Sequence, residues 1–327
     1  MIELKKGNAK GKQEKKPSID MQEIVAGRLF TRLKLALAPR LRELKFDLYL
    51  MSKSLTSITG LALLIILIIV AVFPQWFAPP VGADPFVMPM NTDYPSPLPP
   101  GTAGYLLGSG NTGLDYYYGI IWGAQTSMKF AVVVVGISVI IGIILGLIAG
   151  YKGGIIDEIL MRITDIFLSI PSLVLVLAIA AVLGRNLEST QMALIAVWWS
   201  GYTRVIRGQV LAVRENTYID AARASGSSET RIMFKHVLPN SWQPMVVQAT
   251  MDMGTVVLVM AGLSYLGLGA PWGYAEWGAM IQAGQRYLVY GAWWMIVFPG
   301  IAMVIFVLAF NLLGDGLRDI LDPKMRR

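Results

Sequence analysis

The stretch from Lys129 to Gly150 reads KFAVVVVGISVIIGIILGLIAG, 22 residues whose only charge is the first. At 1.5 Å per helical residue it extends roughly 33 Å, enough to cross the ~30 Å hydrocarbon core of a bilayer as one helix. Five further stretches have comparable length and polarity, at 56–77, 163–184, 190–206, 245–268 and 291–313, and 190–206 is the weakest of them. The whole chain agrees: of 327 residues, 55% are apolar and 15% charged. A soluble protein sits nearer half and a quarter. The expected fold class is all-α, a polytopic transmembrane helical bundle of six spans.

Positive charge orients the spans. When loops are assigned alternately to two sides, 25 of the 28 Lys and Arg residues fall on one side, leaving Lys129, Arg185 and Arg286 on the other. Cytoplasmic loops retain such residues, so both termini are expected in the cytoplasm, and five or seven spans would break the bias. The net charge of +7 equals the excess of 13 basic over 6 acidic residues in the first 54 positions. A basic arm directly before an apolar run reads as an anchor on anionic lipid. Without an aromatic stacking pattern it does not read as a nucleic-acid site. Residues 1–20 have too few large apolar side chains to fold by themselves. Arg28 to Leu50 places Phe30, Leu33, Leu37, Leu41, Leu44 and Leu48 at helical spacing, interrupted at Pro39. That pattern fits an interfacial helix or a basic helix docked on a partner protein.

These readings divide the chain into a cytoplasmic tail with its amphipathic helix (1–54), a first span (55–78), an extracytoplasmic segment (79–128), a five-span core (129–314) and a cytoplasmic C-terminus (315–327). The extracytoplasmic segment has no Lys or Arg and is rich in Pro, Gly and Tyr, including Tyr116 to Tyr118, so turns and extended pieces are expected there. The first apolar run starts too late and is too long for the core of a signal peptide, so it is expected to stay as an anchor.

The residue inventory points away from an enzyme. There is no cysteine and one histidine, His236, which removes a disulfide scaffold, a thiolate metal site and a cysteine nucleophile. The phosphate-binding G-x-x-x-x-G-K-[ST], the G-x-S-x-G elbow and H-E-x-x-H are all missing, so no catalytic residue, metal ligand or cofactor is assigned to this chain. Asp157 and Glu158, beside a turn after Gly153 and Gly154, read as solvated. At membrane depth Asp165 follows Arg162 by three residues, and a local pair is preferred there over a transport role. Asp252 follows Gln248 by four and either lines a pathway or holds helices together.

The stretch 215–240 is the most unusual. It reads as a short helix over Tyr218 to Ala224 stopped by Gly226, then a second helix from a cap at Ser227 or Ser228, ending before Pro239. Its small face, Ala221, Ala222 and Ala224, permits close approach, and such a helix pair can insert into a groove on a cytoplasmic protein.

Asp220-Ala221-Ala222, then Gly226, then Leu238-Pro239, resembles the E-A-A-x-x-x-G loop of binding-protein-dependent ABC importer permeases. The likeness is strongest to the C-type subunit of the dipeptide/oligopeptide permease family. Leu263-Ser264-Tyr265-Leu266-Gly267-Leu268-Gly269, Trp277-Gly278, Trp293-Trp294, Pro299-Gly300 and Asn311 to Pro323 are similar to that family in order and spacing, and the resemblance runs over about residues 45–327. It implies a type I importer (MetI-like) permease core of five helices preceded by one extra span, in the cell membrane of a prokaryote. It further implies a coupling loop over 207–243, in which Tyr218, Asp220, Ala221, Ala222, Arg223, Gly226 and Pro239 meet the ATPases. The implied partners are a second, dissimilar permease subunit, two cytoplasmic ATPases that bind the ATP, and an extracytoplasmic substrate-binding protein. The implied cargo is di- or oligopeptides, with oligosaccharides or nickel as the family's other cargoes. A carrier acting alone would show internal repeats, broken helices or several intramembrane charges, which the sequence does not display.

Overall fold

The structure, a computed structural model, describes residues 54–94 and 97–321. The basic tail with the helix expected over Arg28 to Leu50, and positions 322–327, lie outside the described residues. In chain order the helices are α1 (Leu55–Val72), α2 (Tyr116–Lys152), α3 (Gly154–Ser169), α4 (Ser172–Leu183), α5 (Leu187–Arg214), α6 (Thr217–Ala224) and α7 (Glu229–Ile232). After a π turn (Met233–Val237) come α8 (Leu238–Ser241), α9 (Gln243–Tyr265), α10 (Trp277–Gln285) and α11 (Trp294–Leu321). Among the described residues there is no strand, only isolated bridges such as Val87 with Tyr274.

Four helices, α1, α2, α9 and α11, are long and apolar enough to cross a membrane, and α3 with α4 makes a fifth span when the bent pair is counted as one. The remaining expected span lies in α5, which carries Arg204, Arg207 and Arg214 and does not reach that apolarity. The single straight span expected over 163–184 is corrected: α3 and α4 meet at 90°. The cause is local. Pro171 lacks an N–H and its ring drives the preceding residue out of the helical region, and Ile170 is indeed extended at φ −97°, ψ 136°. A broken helix is therefore present where the sequence displayed none.

A stripe of small residues sets the closest packing. Gly142, Gly146 and Gly150 recur every fourth position on α2, so they share one face, and that face lies against Tyr202, Thr203, Ile206 and Val210 of α5. A Cβ on Gly146 would stand 2.5 Å from the Thr203 carbonyl oxygen, which leaves room only for glycine. In lipid, where apolar area alone gives helices no reason to associate, such close approach supplies the dispersion contacts that hold them. Likewise α1 crosses α11 at Gly60, whose Cβ would meet Leu312 Cβ at 2.7 Å.

The external expectation needs a boundary correction. Tyr116 to Tyr118 form the first turn of α2, because Asp115 caps the helix by accepting from the N–H groups of Tyr117 (2.9 Å) and Tyr118 (3.2 Å). Each tyrosine donates to a carbonyl: Tyr116 to Met280 at 3.0 Å, Tyr117 to Phe77 at 3.2 Å, Tyr118 to Pro85 at 2.8 Å. With Trp122 donating to Ala78 at 3.1 Å and Trp294 to Ser109 at 3.0 Å, the segment after α1 is tied down over the ends of α2, α10 and α11. Glu276 is fully buried as the N-cap of α10, accepting from the N–H of Gly278 and of Ala279, both at 2.8 Å. Burial pushes its carboxyl above the ordinary value, against the pull of those two backbone donors.

Candidate functional site

The loop after α5 folds as two short helices, and the first ends as the sequence requires. At the end of α6 the Ser227 N–H bonds the Ala222 carbonyl (3.2 Å) and the Gly226 N–H bonds that of Arg223 (3.0 Å), the paired closure of a Schellman motif. That closure needs a left-handed residue, and Gly226 sits at φ +78°. Ser228 then caps α7 by accepting from the Arg231 N–H. The expected stop before Pro239 is corrected, since the chain passes through the π turn into α8 with Pro239 inside its first turn. The wider turn, closed by the Leu238 N–H on the Met233 carbonyl, gives the proline ring room that a regular α turn would deny it.

Ile219, Ile232 and Val237 are fully buried and fasten the loop to the bundle. On α6, Tyr218, Asp220, Ala221 and Arg223 are exposed, as are Gly226 and Pro239, while Ala222 is half-buried. Arg223 bonds both Glu229 (3.0 Å) and Asp220 (3.2 Å), and Glu229 also accepts from the Tyr151 hydroxyl at the end of α2. The Tyr151 hydroxyl and the Arg223 guanidinium hold the Glu229 carboxyl below its usual range.

Three arginines at 204, 207 and 214 share one face of α5 and continue this network into the bundle. Arg214 donates to the last carbonyls of α2, Gly150 at 3.2 Å and Tyr151 at 3.1 Å, where the helix end carries negative charge. Arg207 grips Asp157 with two bonds of 2.5 and 2.6 Å, which corrects the solvated reading of that carboxylate. Arg204 pairs with Asp165, which corrects the expected Arg162 partner. The sequence reading missed these arginines because their partners lie on another helix. The available signal was their common face.

At membrane depth Asp252 and Gln248 are neighbours on α9, the Gln248 amide donating to Asp252 at 3.0 Å. Both line a cavity of about 600 Å³ together with Trp198 and Tyr202 of α5 and the residues of the α3–α4 bend, Ser169 to Ser172. Tyr202 is 1% exposed, and its buried hydroxyl stands beside the Asp252 carboxylate without a hydrogen bond of ordinary geometry among the described residues. Asp165 does not line this cavity. Among the described residues no group of three or more His, Cys, Asp or Glu is placed to hold a metal ion.

Residues 142–327 match the family model for the binding-protein-dependent transport system inner membrane component. The chain is 39% identical over 276 residues to a probable D,D-dipeptide transport system permease protein of Escherichia coli, covering 84% of this chain and 90% of that one. It is also 39% identical over 271 residues to the dipeptide transport system permease protein of the same organism, covering 83% and 90%. Among solved structures, an inward-facing conformation of the MetNI methionine ABC transporter matches at TM-score 0.51 and 21% identity, covering 63% of this chain and 97% of that chain, which is a likeness of fold. Such families work with a partner permease, ATPases and a substrate-binding protein. This chain belongs to the binding-protein-dependent transport system inner membrane components, and it is a multi-pass membrane permease subunit of an ABC importer rather than an enzyme.

Proposed function

We propose that this chain is one of two dissimilar permease subunits of a di- or oligopeptide importer, joined to two cytoplasmic ATPases that bind the ATP and served by an extracytoplasmic binding protein. With α5 counted as a sixth span, the one-sided distribution of Lys and Arg supports a prokaryotic cell membrane with both termini on the cytoplasmic side. The cargo reading is supported by the relatives, which include dipeptide transport permeases from several bacteria. One observation carries the coupling assignment: α6 is a rigidly anchored helix whose outer face is left open. Ile219 and the Tyr151–Glu229–Arg223 links fix the helix, while Tyr218, Asp220 and Ala221 stay exposed. A fixed helix whose open face mixes Tyr218 and Asp220 with the small Ala221 suits insertion into a groove, and Tyr218, Asp220, Ala221, Ala222, Arg223 and Gly226 are assigned to that contact, with Pro239 shaping the turn behind it.

The test is purification from native membranes in mild detergent, with mass spectrometry of the accompanying chains. A second permease and two ATPases are expected, and Asp220→Arg is expected to strip the ATPases while this chain stays inserted. Purification of the wild-type chain alone would overturn the assignment and leave a carrier driven by an ion gradient.

A further inference from the structure

The cavity at the α3–α4 bend joins two features of opposite polarity. Asp252 lies nine residues into the 23-residue α9, roughly 14 Å along the helix and so near mid-membrane, where a carboxylate is costly to keep without a positive partner. Among the described residues it faces only neutral groups: the Gln248 amide at 3.0 Å, the Tyr202 hydroxyl and the Trp198 indole. No Lys, Arg or His among the described residues lines the cavity, and Arg204 is taken up by Asp165. At the same cavity α4 begins, a 12-residue helix with Pro171 as its N-cap and no side-chain cap bond. The first N–H groups of any helix have no intrahelical acceptor, and together with the helix dipole they favour an anion. The buried Tyr202 hydroxyl lies beside Asp252 and makes no hydrogen bond of ordinary geometry among the described residues. Broken membrane helices whose half-helix ends face a cavity are suited to binding a charged solute.

We propose that this cavity is a transient cargo site for a small zwitterionic peptide, its free α-ammonium taken by Asp252 and Gln248 and its carboxylate by the start of α4. The proposal rests on the peptide-import reading. At about 600 Å³ the cavity falls within the roughly 300–1,000 Å³ typical of small-molecule sites. A cation from the partner permease would satisfy Asp252 but would leave the helix start unanswered, so the zwitterion fits more of what is present.

The test uses the complete importer in detergent, without its binding protein, in equilibrium dialysis against labelled dialanine, N-acetyl-dialanine and dialanine amide. Free dialanine is expected to bind about tenfold or more tightly than either blocked form, the scale of a lost bond to a charged group. Asp252→Asn is expected to weaken free dialanine by about as much while leaving N-acetyl-dialanine unchanged, which abolishes discrimination at the amino end alone. Tyr202→Phe serves as a milder second variant. Equal binding of free and acetylated peptide by the wild type overturns the site without needing any variant. Loss of the second permease from the Asp252→Asn complex also overturns it, by showing that Asp252 serves the subunit interface. A parallel uptake assay in proteoliposomes with the binding protein separates the two levels. Peptide uptake without amino-end discrimination in dialysis sinks only this site, whereas no peptide uptake by the wild-type importer sinks the cargo reading.

Discussion

Gly226 allows the cost of folding to be separated from the cost of contact. A Cβ built on it meets nothing within 4 Å, so side-chain size has no consequence inside this chain. Its φ of +78° does have one, since a left-handed L-residue costs roughly 1–2 kcal/mol. Gly226→Ala and Gly226→Trp should therefore lose nearly the same stability, and Gly226→Asn less, because asparagine tolerates that region. The loss falls on the Schellman closure, so a share of molecules, larger by roughly 5- to 30-fold, would have α6 unravelled at its end. Thermal unfolding of the detergent-purified chain measures the first part, and peptide uptake with ATPase co-purification measures the second. If a groove of the ATPase surrounds this corner, Asn should stay near wild type, Ala should fall modestly, and Trp should lose ATPase and uptake well beyond Ala. Uptake by the Trp variant equal to that of the Ala variant would refute the reasoning, because it would show open solvent around Gly226 in the working complex.

Further outcomes follow from the packing. Gly146→Leu should destabilise the bundle by about 1–3 kcal/mol, read as a lower unfolding temperature, because even its Cβ collides with the Thr203 carbonyl. Arg207→Ala should cost about 1–3 kcal/mol, discounted toward the lower end by partial exposure, and Arg207→Lys should recover only part because lysine cannot form the two-pronged bond. For Glu276 the folded carboxyl is raised above its ordinary 4.5, so its contribution is fully present below that value and is lost as pH rises through the raised one. Unfolding temperature should accordingly fall across that window in wild type and flatten in Glu276→Gln; an unchanged slope in the variant would remove Glu276 as its source.

Long elements and local stops were legible because their causes are local. A 22-residue apolar run reports its own helix, and the stop at Gly226 follows from the preference of a single residue. Where the structure departs from the reading, the cause is a partner distant in sequence or a signal diluted by averaging. Ile170-Pro171 was available as a breaker, but the apolar residues on both sides carried the reading through it as one span. Asp165 had a basic residue at the right spacing in Arg162, yet the bend carries α3 to Arg204 on α5, 39 positions away. The π turn before Pro239 has no residue pattern of its own. The spacing of Gly142, Gly146 and Gly150 was in plain sight and marks α2 as a close-packing helix, but it does not say against which neighbour.

In the proposed importer, the connectivity makes α5 the element through which a push on the loop would reach the membrane. Only Glu215 and Asn216 separate the end of α5 from the start of α6, and Arg214 fixes that junction to the last carbonyls of α2. Displacing α6 must therefore move α5 against α2, strain the glycine contact, or break the arginine bonds. The glycine contact resists separation but has no side chains of its own to interlock, so sliding or tilting disrupts it least. Farther along the same helix Arg207 and Arg204 hold α3 through Asp157 and Asp165, and α3 ends at the bend that lines the cavity. A tilt of α5 would thus change the position of the α4 start relative to Asp252 on α9, which among the described residues has no such arginine tie to α5. In the zwitterion site, that motion alters the distance between the two charges the peptide bridges. ATP-driven closure at the loop would then loosen the cargo by geometry alone, without any group in the cavity changing its charge.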